Sequence, residues 1–175
     1  YCASCDAMEE LISTNKDTFK NLGEYEIINI SGVDAIREYS KPDDIKRKIK
    51  ECEEKNQKTL TLTVNRMLTG STVEQWDTML YFKDTASPQE YDQSIFRLQN
   101  QYVRTLSSGN GFIKENLKPQ TLLVDFDPNR LFKMQEQKSL IYNVNTEANG
   151  NSKLKERIIA ELRISPIIMM NHNKI

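Results

Sequence analysis

The chain contains 175 residues, of which 24 are lysine or arginine and 25 are aspartate or glutamate, so its formal net charge is −1. This length suits one domain with a small appendage, and the near-neutral charge excludes the bulk electrostatic attraction of a strongly basic nucleic-acid binder. No run of about 18 apolar residues is present, and no basic start is followed by an apolar stretch, so we expect a soluble, cytoplasmic protein without a membrane partner.

The cysteines Cys2, Cys5 and Cys52 form an odd set, which indicates reduced thiols rather than a disulfide framework. A zinc site built on Cys2 and Cys5 would need two further ligands, for which Cys52 and His172 are the remaining candidates. We therefore predict no metal site. His172 is also the single histidine, which argues against a Ser-His-Asp or Cys-His catalytic set.

Strand-like and helix-like sequence patterns alternate along the first 126 residues. The chain opens within a helical pattern, which indicates a segment of a longer protein. Alternating strands and helices predict βαβ units and an α/β domain with a parallel sheet over 1–126, and 127–175 is predicted as a helical appendage. In order, we predict helices over 2–19, 42–56 and 88–104, strands over 25–30, 60–64, 79–82 and 121–126, and two helices within 127–165 separated at Asn149-Gly150.

The helix predicted over 88–104 begins with clear capping signals. Ser87 suits the N-cap, Pro88 suits the first helical position, and Glu90 completes a capping box. Apolar residues recur at the spacing of a buried face, and four polar side chains form a stripe on the opposite side. The buried face comprises Tyr91, Ile95, Leu98 and Tyr102, and the stripe comprises Gln93, Arg97, Asn100 and Arg104.

Two interpretations of this stripe are open. Its four side chains either lie on the solvent-exposed side of an amphipathic helix or supply hydrogen-bond donors and positive charge to nucleotide phosphates.

The segment that follows the strand over 60–64 is a second candidate site. Ligands of open parallel sheets bind at the carboxyl ends of the strands. A glycine there lets the backbone approach a phosphate, and neighbouring hydroxyl groups donate to phosphate oxygens. An ordinary turn is the alternative. The candidate residues are Asn65, Arg66, Thr69, Gly70 and Thr72.

Several segments together resemble a known family. Thr61-Leu-Thr-Val-Asn-Arg-Met-Leu-Thr-Gly-Ser-Thr-Val-Glu-Gln-Trp-Asp77 stands where superfamily 2 DEAD/DEAH-type helicases and translocases have their fifth motif, and Gln93-Ser-Ile-Phe-Arg97 stands where they have the sixth. Tyr1-Cys-Ala-Ser-Cys5 is similar to the end of the fourth-motif strand, and Val124-Asp-Phe-Asp-Pro-Asn-Arg130 to a later segment. Over about residues 1–130 the chain resembles the second RecA-like lobe, most of all in motor subunits of bacterial restriction-modification systems.

The resemblance implies a three-layer αβα RecA-like helicase C-terminal lobe with a small helical appendage. It also implies roles for residues that match the motifs. The nucleotide-facing residues would be Gly70, Thr72, Gln93 and Arg97, the catalytic ones Gln93, Arg97 and Arg104, and the residues near nucleic acid Asn65, Arg66 and Thr69.

The chain departs from the family at two positions. The family usually has an aspartate where this chain has Thr72, and a second arginine where it has Asn100. Since Asn100 is uncharged, Arg104 is the expected substitute, one helical turn further along.

The phosphate-binding loop and the acidic magnesium motif of a first lobe do not occur in the sequence. ATP and Mg²⁺ are therefore expected cofactors of a longer parent protein, and the chain alone is expected to bind neither and to be inactive. The expected partners are an upstream first RecA-like lobe of the parent, double-stranded DNA, and methyltransferase or nuclease domains or subunits.

Two other functions are open. Asp125 and Asp127 after a strand, with Glu136-Gln-Lys138, fit part of a metal-dependent nuclease signature, although Asp127 also suits a helix cap and Glu136 a helical pattern. A non-catalytic nucleic-acid or protein interaction domain with a degenerate motor fold is the other alternative, and Thr72 and Asn100 favour it.

Overall fold

The computed structural model describes residues 2–15, 17–31, 38–39, 41–64, 72–108, 111–143 and 152–164. These residues form a mixed α/β structure, as predicted. Its helices are α1 (Ala3–Thr14), α2 (Pro42–Glu54), α3 (Pro88–Leu98), α4 (Arg130–Asn143) and α5 (Ser152–Ile164). Its strands are β1 (Tyr25–Asn29), β2 (Lys58–Leu62), β3 (Thr78–Tyr81), β4 (Val103–Ser108), β5 (Gly111–Asn116) and β6 (Leu122–Asp125).

The chain divides into two compact units. The first unit comprises Tyr1–Asp77 and Phe96–Thr121, and the second comprises Thr78–Ile95 and Leu122–Ile175. Each unit contains one parallel pair of strands, β1 with β2 and β3 with β6. The three-layer RecA-like lobe and the boundary after residue 126 remain predictions.

In the first unit, α2 connects β1 to the parallel strand β2, as expected for a βαβ unit. The backbone N–H of Lys41 donates to the Asp44 carboxylate at 3.0 Å, which satisfies a donor at the start of α2. Ile45 and Ile49 are one turn apart on this helix and both are buried. The helical pattern of the sequence therefore predicted α2 well.

Helices cover both faces of the β1–β2 sheet. Ile28 and Ile30 belong to one buried cluster with Ile45 and Ile49 of α2. Asn29 points to the opposite face, because successive strand residues alternate. Its side-chain amide donates to the carboxylates of Asp6 and Glu9 of α1 at 2.8 and 2.9 Å.

The helix predicted to reach Arg104 ends at Leu98, and this prediction was wrong. The side chain of Asn100 donates to the carbonyl oxygen of Arg97 at 3.2 Å, which satisfies an acceptor left open at the end of α3. The chain then forms an antiparallel hairpin, with Val103 opposite Asn116. Neither β4 nor β5 was predicted from the sequence.

In the second unit, α3 begins with the predicted N-cap. The backbone N–H of Glu90 donates to the Ser87 hydroxyl at 3.3 Å. The Glu90 carboxylate does not complete the capping box. It accepts instead from the Thr85 hydroxyl at 2.6 Å and from Lys83.

The last two helices also belong to the second unit. Asp127 accepts the backbone N–H of Asn129 at 3.0 Å, and α4 begins at Arg130. Two helices after residue 127 were predicted, and α4 and α5 confirm them. The predicted break at Asn149-Gly150 lies outside the described residues.

Candidate functional site

A buried arginine, Arg130 at the start of α4, lies at the carboxyl ends of β3 and β6. The side chain of Arg130 is 3% exposed. Its Nε donates to the Asp125 carboxylate at 2.8 Å, its Nη2 to the Lys83 carbonyl oxygen at 2.8 Å and its Nη1 to the Thr85 carbonyl oxygen at 3.2 Å. The guanidinium group thus joins β6 to the loop that follows β3.

Two tyrosine rings complete the surroundings of this arginine. The guanidinium carbon lies 4.9 Å from the ring centre of Tyr81 and 5.6 Å from that of Tyr91. The two rings meet edge to face, with 5.3 Å between their centres. We call Arg130, Asp125, Tyr81 and Tyr91 the Arg130 cluster.

Electrostatics favour a charged arginine in the Arg130 cluster. Burial by itself lowers the pKa of Arg130, but the hydrogen bond and charge of Asp125 outweigh burial and raise the pKa overall. The pKa of Tyr91 is raised, chiefly by burial and then by the charge of Asp125, so Tyr91 stays neutral. Each of the three guanidinium nitrogens of Arg130 donates one hydrogen bond, so this ion pair suits a positioning role more than proton transfer.

The loop between β3 and α3 is held at Lys83 and Thr85. Arg130 binds two of its carbonyl oxygens, and the Glu90 carboxylate contacts Lys83 and Thr85. The hydrogen bonds from Lys83 and Thr85 lower the pKa of Glu90. This loop leads directly into α3, so its contacts determine where that helix begins.

Gln93 and Arg97 lie one turn apart on α3, as predicted. Gln93 is exposed and Arg97 is half-buried. Burial lowers the pKa of Arg97, but a guanidinium group remains protonated in proteins. Phe96 lies between them in sequence and is 64% exposed.

Arg104 does not continue the predicted stripe, and this placement was wrong. Because α3 ends at Leu98, Arg104 lies on β4, where its Nη2 donates to the Glu115 carboxylate of β5 at 2.7 Å. The same hydrogen bond raises the pKa of Arg104. Tyr102, predicted on the buried face of the helix, lies before β4 and donates to Glu53 at 2.8 Å.

The second predicted site is described only in part. Asn65, Arg66, Thr69 and Gly70 lie outside the described residues. Thr72 is described and is half-buried, and it precedes Val73, which is 1% exposed in the aliphatic core. Trp76 packs against that core and donates to the Thr61 hydroxyl at 3.2 Å.

The carboxylates of the nuclease alternative have structural partners. Asp125 accepts from Arg130 and from the backbone N–H of Asp127, and Asp127 caps the turn before α4. Glu136 lies on α4, in agreement with the helical pattern. Within the described ranges, no three His, Cys, Asp or Glu side chains are grouped so that they could hold a metal ion.

An exposed aromatic pair at the same ends of β3 and β6 was not predicted from the sequence. Phe82 and Phe126 are 61% and 55% exposed, and their rings stack with 4.4 Å between centres and 10° between planes. Leu80 and Leu122 are also exposed on the same sheet face, since alternate strand residues share a face. The alternation of residues along each strand shows which side chains share this face. It does not show that the face is exposed to solvent.

A buried lysine was missed as well. Lys118 is 7% exposed and donates to the carbonyl oxygens of Glu74 and Trp76 at 2.7 and 3.1 Å. Burial lowers its pKa. No local sequence signal identifies it, because its acceptors are more than forty positions away, at separations of 44 and 42 residues.

The chain is similar to a Mycoplasma pneumoniae protein named "putative type II restriction enzyme and methyltransferase", C-terminus. The two are 30% identical in an alignment of 142 residues, and the alignment covers 78% of this chain and 18% of that protein. The similarity relates the chain to a restriction-modification protein, of which it spans less than a fifth.

No protein-family description matches the chain, and no solved structure matches it. None of the described helices has both the length and the apolar character needed to cross a membrane.

Proposed function

We propose that this chain is part of an ATP-dependent DNA helicase or translocase of a restriction-modification system. In this proposal it supplies the second-lobe half of the ATP cleft and part of the nucleic-acid track, with a RecA-like fold. The observation that carries the proposal is the similarity to the Mycoplasma pneumoniae restriction and methyltransferase protein. The motor activity in this proposal rests on the resemblance of residues 61–77 and 93–97 to helicase motifs.

The geometry of α3 supports roles for two residues in the ATP cleft. Gln93 and Arg97 are four residues apart and therefore share one side of the helix. Arg97 is half-buried, and a guanidinium group partly withdrawn from water interacts more strongly with phosphate than an exposed one. We assign Arg97 to the ATP phosphates and Gln93 to orientation of the reacting water.

Asn100 and Arg104 receive no ATP contact in this proposal. Asn100 caps the end of α3, and Arg104 is bound to Glu115 on the hairpin. Arg97 is therefore the arginine on which ATP hydrolysis depends. Gly70 and Thr72 are assigned to the approach of the nucleotide. The residues assigned to the nucleic-acid backbone are Asn65, Arg66 and Thr69.

ATP and Mg²⁺ are the proposed cofactors of the longer protein. The donor set of α3, an amide and a guanidinium group, fits phosphate oxygens and water. The described residues hold no grouping of carboxylates suited to Mg²⁺, so the proposal assigns the ion to an upstream first lobe. DNA and methyltransferase or nuclease domains are the proposed partners, in the cytoplasm.

DNA-stimulated ATP hydrolysis by the complete parent protein tests the proposal. The Arg97→Ala variant should lose most of this activity, on the order of a hundredfold or more, because an arginine finger contributes that much to phosphoryl transfer. Arg47→Ala is the matched control, since Arg47 is an exposed arginine on α2 that pairs with Asp44. Equal turnover by Arg97→Ala and the parent would contradict the assignment.

The open aromatic face of the second unit favours a second candidate function, a non-catalytic interaction domain. Phe82 and Phe126 are large apolar side chains at an exposed position, and such patches mark interaction surfaces. A parent protein that hydrolyses no ATP with any DNA or RNA, but loses assembly or nucleic-acid binding with Phe82→Ser, would favour this candidate over the motor.

A further inference from the structure

Two cysteines stand at the amino end of α1. Cys2 is the N-cap, with extended dihedral angles of φ −132° and ψ 103°, and Cys5 lies in the first turn. The backbone N–H of Cys5 donates to the Cys2 carbonyl oxygen at 3.0 Å, and the N–H of Cys2 donates to the Ser31 carbonyl oxygen at 2.8 Å. These bonds hold both cysteines beside the carboxyl end of β1.

The spacing brings the two sulfur atoms within reach of each other. Side chains three residues apart on a helix have Cβ atoms about 5–6 Å apart, and a disulfide needs about 3.8 Å. Cys2 is the N-cap and its backbone has extended rather than helical dihedral angles. Rotation about its backbone bonds can therefore shorten the distance between the two Cβ atoms. The side chain of Cys5 lowers the pKa of Cys2, and the side chain of Cys2 raises that of Cys5, which agrees with two sulfur atoms that lie near each other.

The two thiols differ in accessibility and acidity. Cys2 is half-buried, whereas Cys5 is 7% exposed. The backbone N–H of Cys5 lowers the pKa of Cys2 against the opposing effect of burial. The pKa of Cys5 is raised to about 11 by burial, by its hydrogen bond with Cys2 and by nearby negative charge. An accessible, more acidic thiol followed by a buried one is the arrangement of an attacking and a resolving cysteine.

We propose that Cys2 and Cys5 form a dithiol site that small disulfides, such as oxidised glutathione, convert reversibly to an intrachain disulfide. This inference is independent of the ATPase proposal. The odd cysteine count had indicated thiols without such a pairing, and it is the position of Cys2 at the helix start that distinguishes this pair from Cys52, which is buried on α2.

The reaction proceeds by two exchange steps. The Cys2 thiolate attacks one sulfur of oxidised glutathione, which forms a mixed disulfide and releases one glutathione that takes up the proton lost by Cys2. Cys5 then loses its proton and attacks the Cys2 sulfur, which forms the Cys2–Cys5 bond and releases the second glutathione. Two protein thiols are oxidised, and one external disulfide is reduced to two thiols.

The test treats the folded, reduced 175-residue chain with oxidised glutathione, followed by acid quenching, tryptic digestion and mass spectrometry. Cleavage after Lys16 leaves Cys2 and Cys5 on one peptide, and cleavage after Lys50 and Lys55 leaves Cys52 on another. We expect the first peptide to lose two hydrogens and the second to stay reduced. Iodoacetamide should label Cys2 at least about tenfold faster than Cys5, in line with their thiolate fractions.

Single variants separate the two steps. Cys5→Ser should stop at the glutathione adduct on Cys2, Cys2→Ser should leave Cys5 unmodified, and Cys52→Ser should behave as the original chain. Circular dichroism verifies that each variant is folded. A persistent glutathione adduct on Cys2 of the original chain would overturn the proposal. So would an unreactive Cys2–Cys5 pair in the folded chain when the urea-unfolded chain reacts.

Discussion

The two units use different interactions to cover a parallel pair of strands. In the first unit, helices lie against both faces of the β1–β2 sheet, and isoleucines such as Ile28 and Ile45 form the core. In the second unit, α3 and α4 contact one face of the β3–β6 sheet around the charged side chain of Arg130. The other face of that sheet exposes Phe82 and Phe126.

This difference shows that similar strand pairs can depend on unlike sources of stability. Aliphatic burial is non-directional and tolerates small rearrangements, because its free energy follows the area removed from water. A buried ion pair depends on geometry, because desolvation offsets its attraction unless every donor is used. We therefore expect the second unit to be the more sensitive to changes of a single polar group.

Removal of the Arg130 charge should have the largest effect. Arg130→Met keeps much of the apolar volume but removes the Arg130 donor from one oxygen of the Asp125 carboxylate and from two carbonyl oxygens, so we expect a loss of about 4 kcal/mol in the free energy of unfolding. Urea unfolding monitored by circular dichroism measures it. Arg47→Met is the control, because its exposed pair with Asp44 contributes less than about 1 kcal/mol. Equal losses in the two variants would contradict the proposed role.

A cavity in the first unit should cost somewhat less. Ile28 is 0% exposed in the aliphatic core, and Ile28→Ala is expected to lower the free energy of unfolding by about 3 kcal/mol. The same urea experiment applies. Ile113→Ala, at a residue 57% exposed on β5, should change stability by less than about 1 kcal/mol. If both changes have the same effect, the assignment of the core is wrong.

Alkaline pH should weaken the Arg130 cluster. The folded pKa of Tyr91 is raised above the ordinary tyrosine value of 10.0, so the unfolded chain releases that proton first as pH rises. The contribution of neutral Tyr91 to the free energy of unfolding is present below about pH 10. Above that pH it is lost at about 1.4 kcal/mol per pH unit. Urea unfolding at a series of alkaline pH values should show a shallower decline for Tyr91→Phe. Identical declines would argue against a buried, neutral Tyr91.

Arg104→Ala should have the smallest effect. The side chains of Arg104 and Glu115 are 55% and 46% exposed, so loss of this pair should lower the free energy of unfolding less than any of the changes above. In the parent protein, ATP hydrolysis should remain close to normal, in contrast to Arg97→Ala. Loss of hydrolysis with Arg104→Ala would restore the role that the helical pattern suggested for it.

The difference between correct and incorrect predictions follows the range of the interactions involved. The Ser87 cap and the bounds of α2 were predicted because their signals lie within one or two turns of the chain. The end of α3 was missed because the apolar spacing continued through Tyr102 by coincidence. The sequence did contain a hairpin signal, Gly109-Asn110-Gly111, because Asn-Gly between two strand-like segments favours a tight hairpin turn.

The sequence by itself determined the α/β class, most helices and strands, and the neighbourhood of Gln93 and Arg97. Tertiary structure decided that Arg104 binds Glu115, that Cys5 is buried behind Cys2, and that Arg130 is enclosed. Arg130 meets carbonyl oxygens 45 and 47 residues away. Local patterns cannot specify such contacts, because they arise only when distant segments fold together and must satisfy each other's buried polar groups.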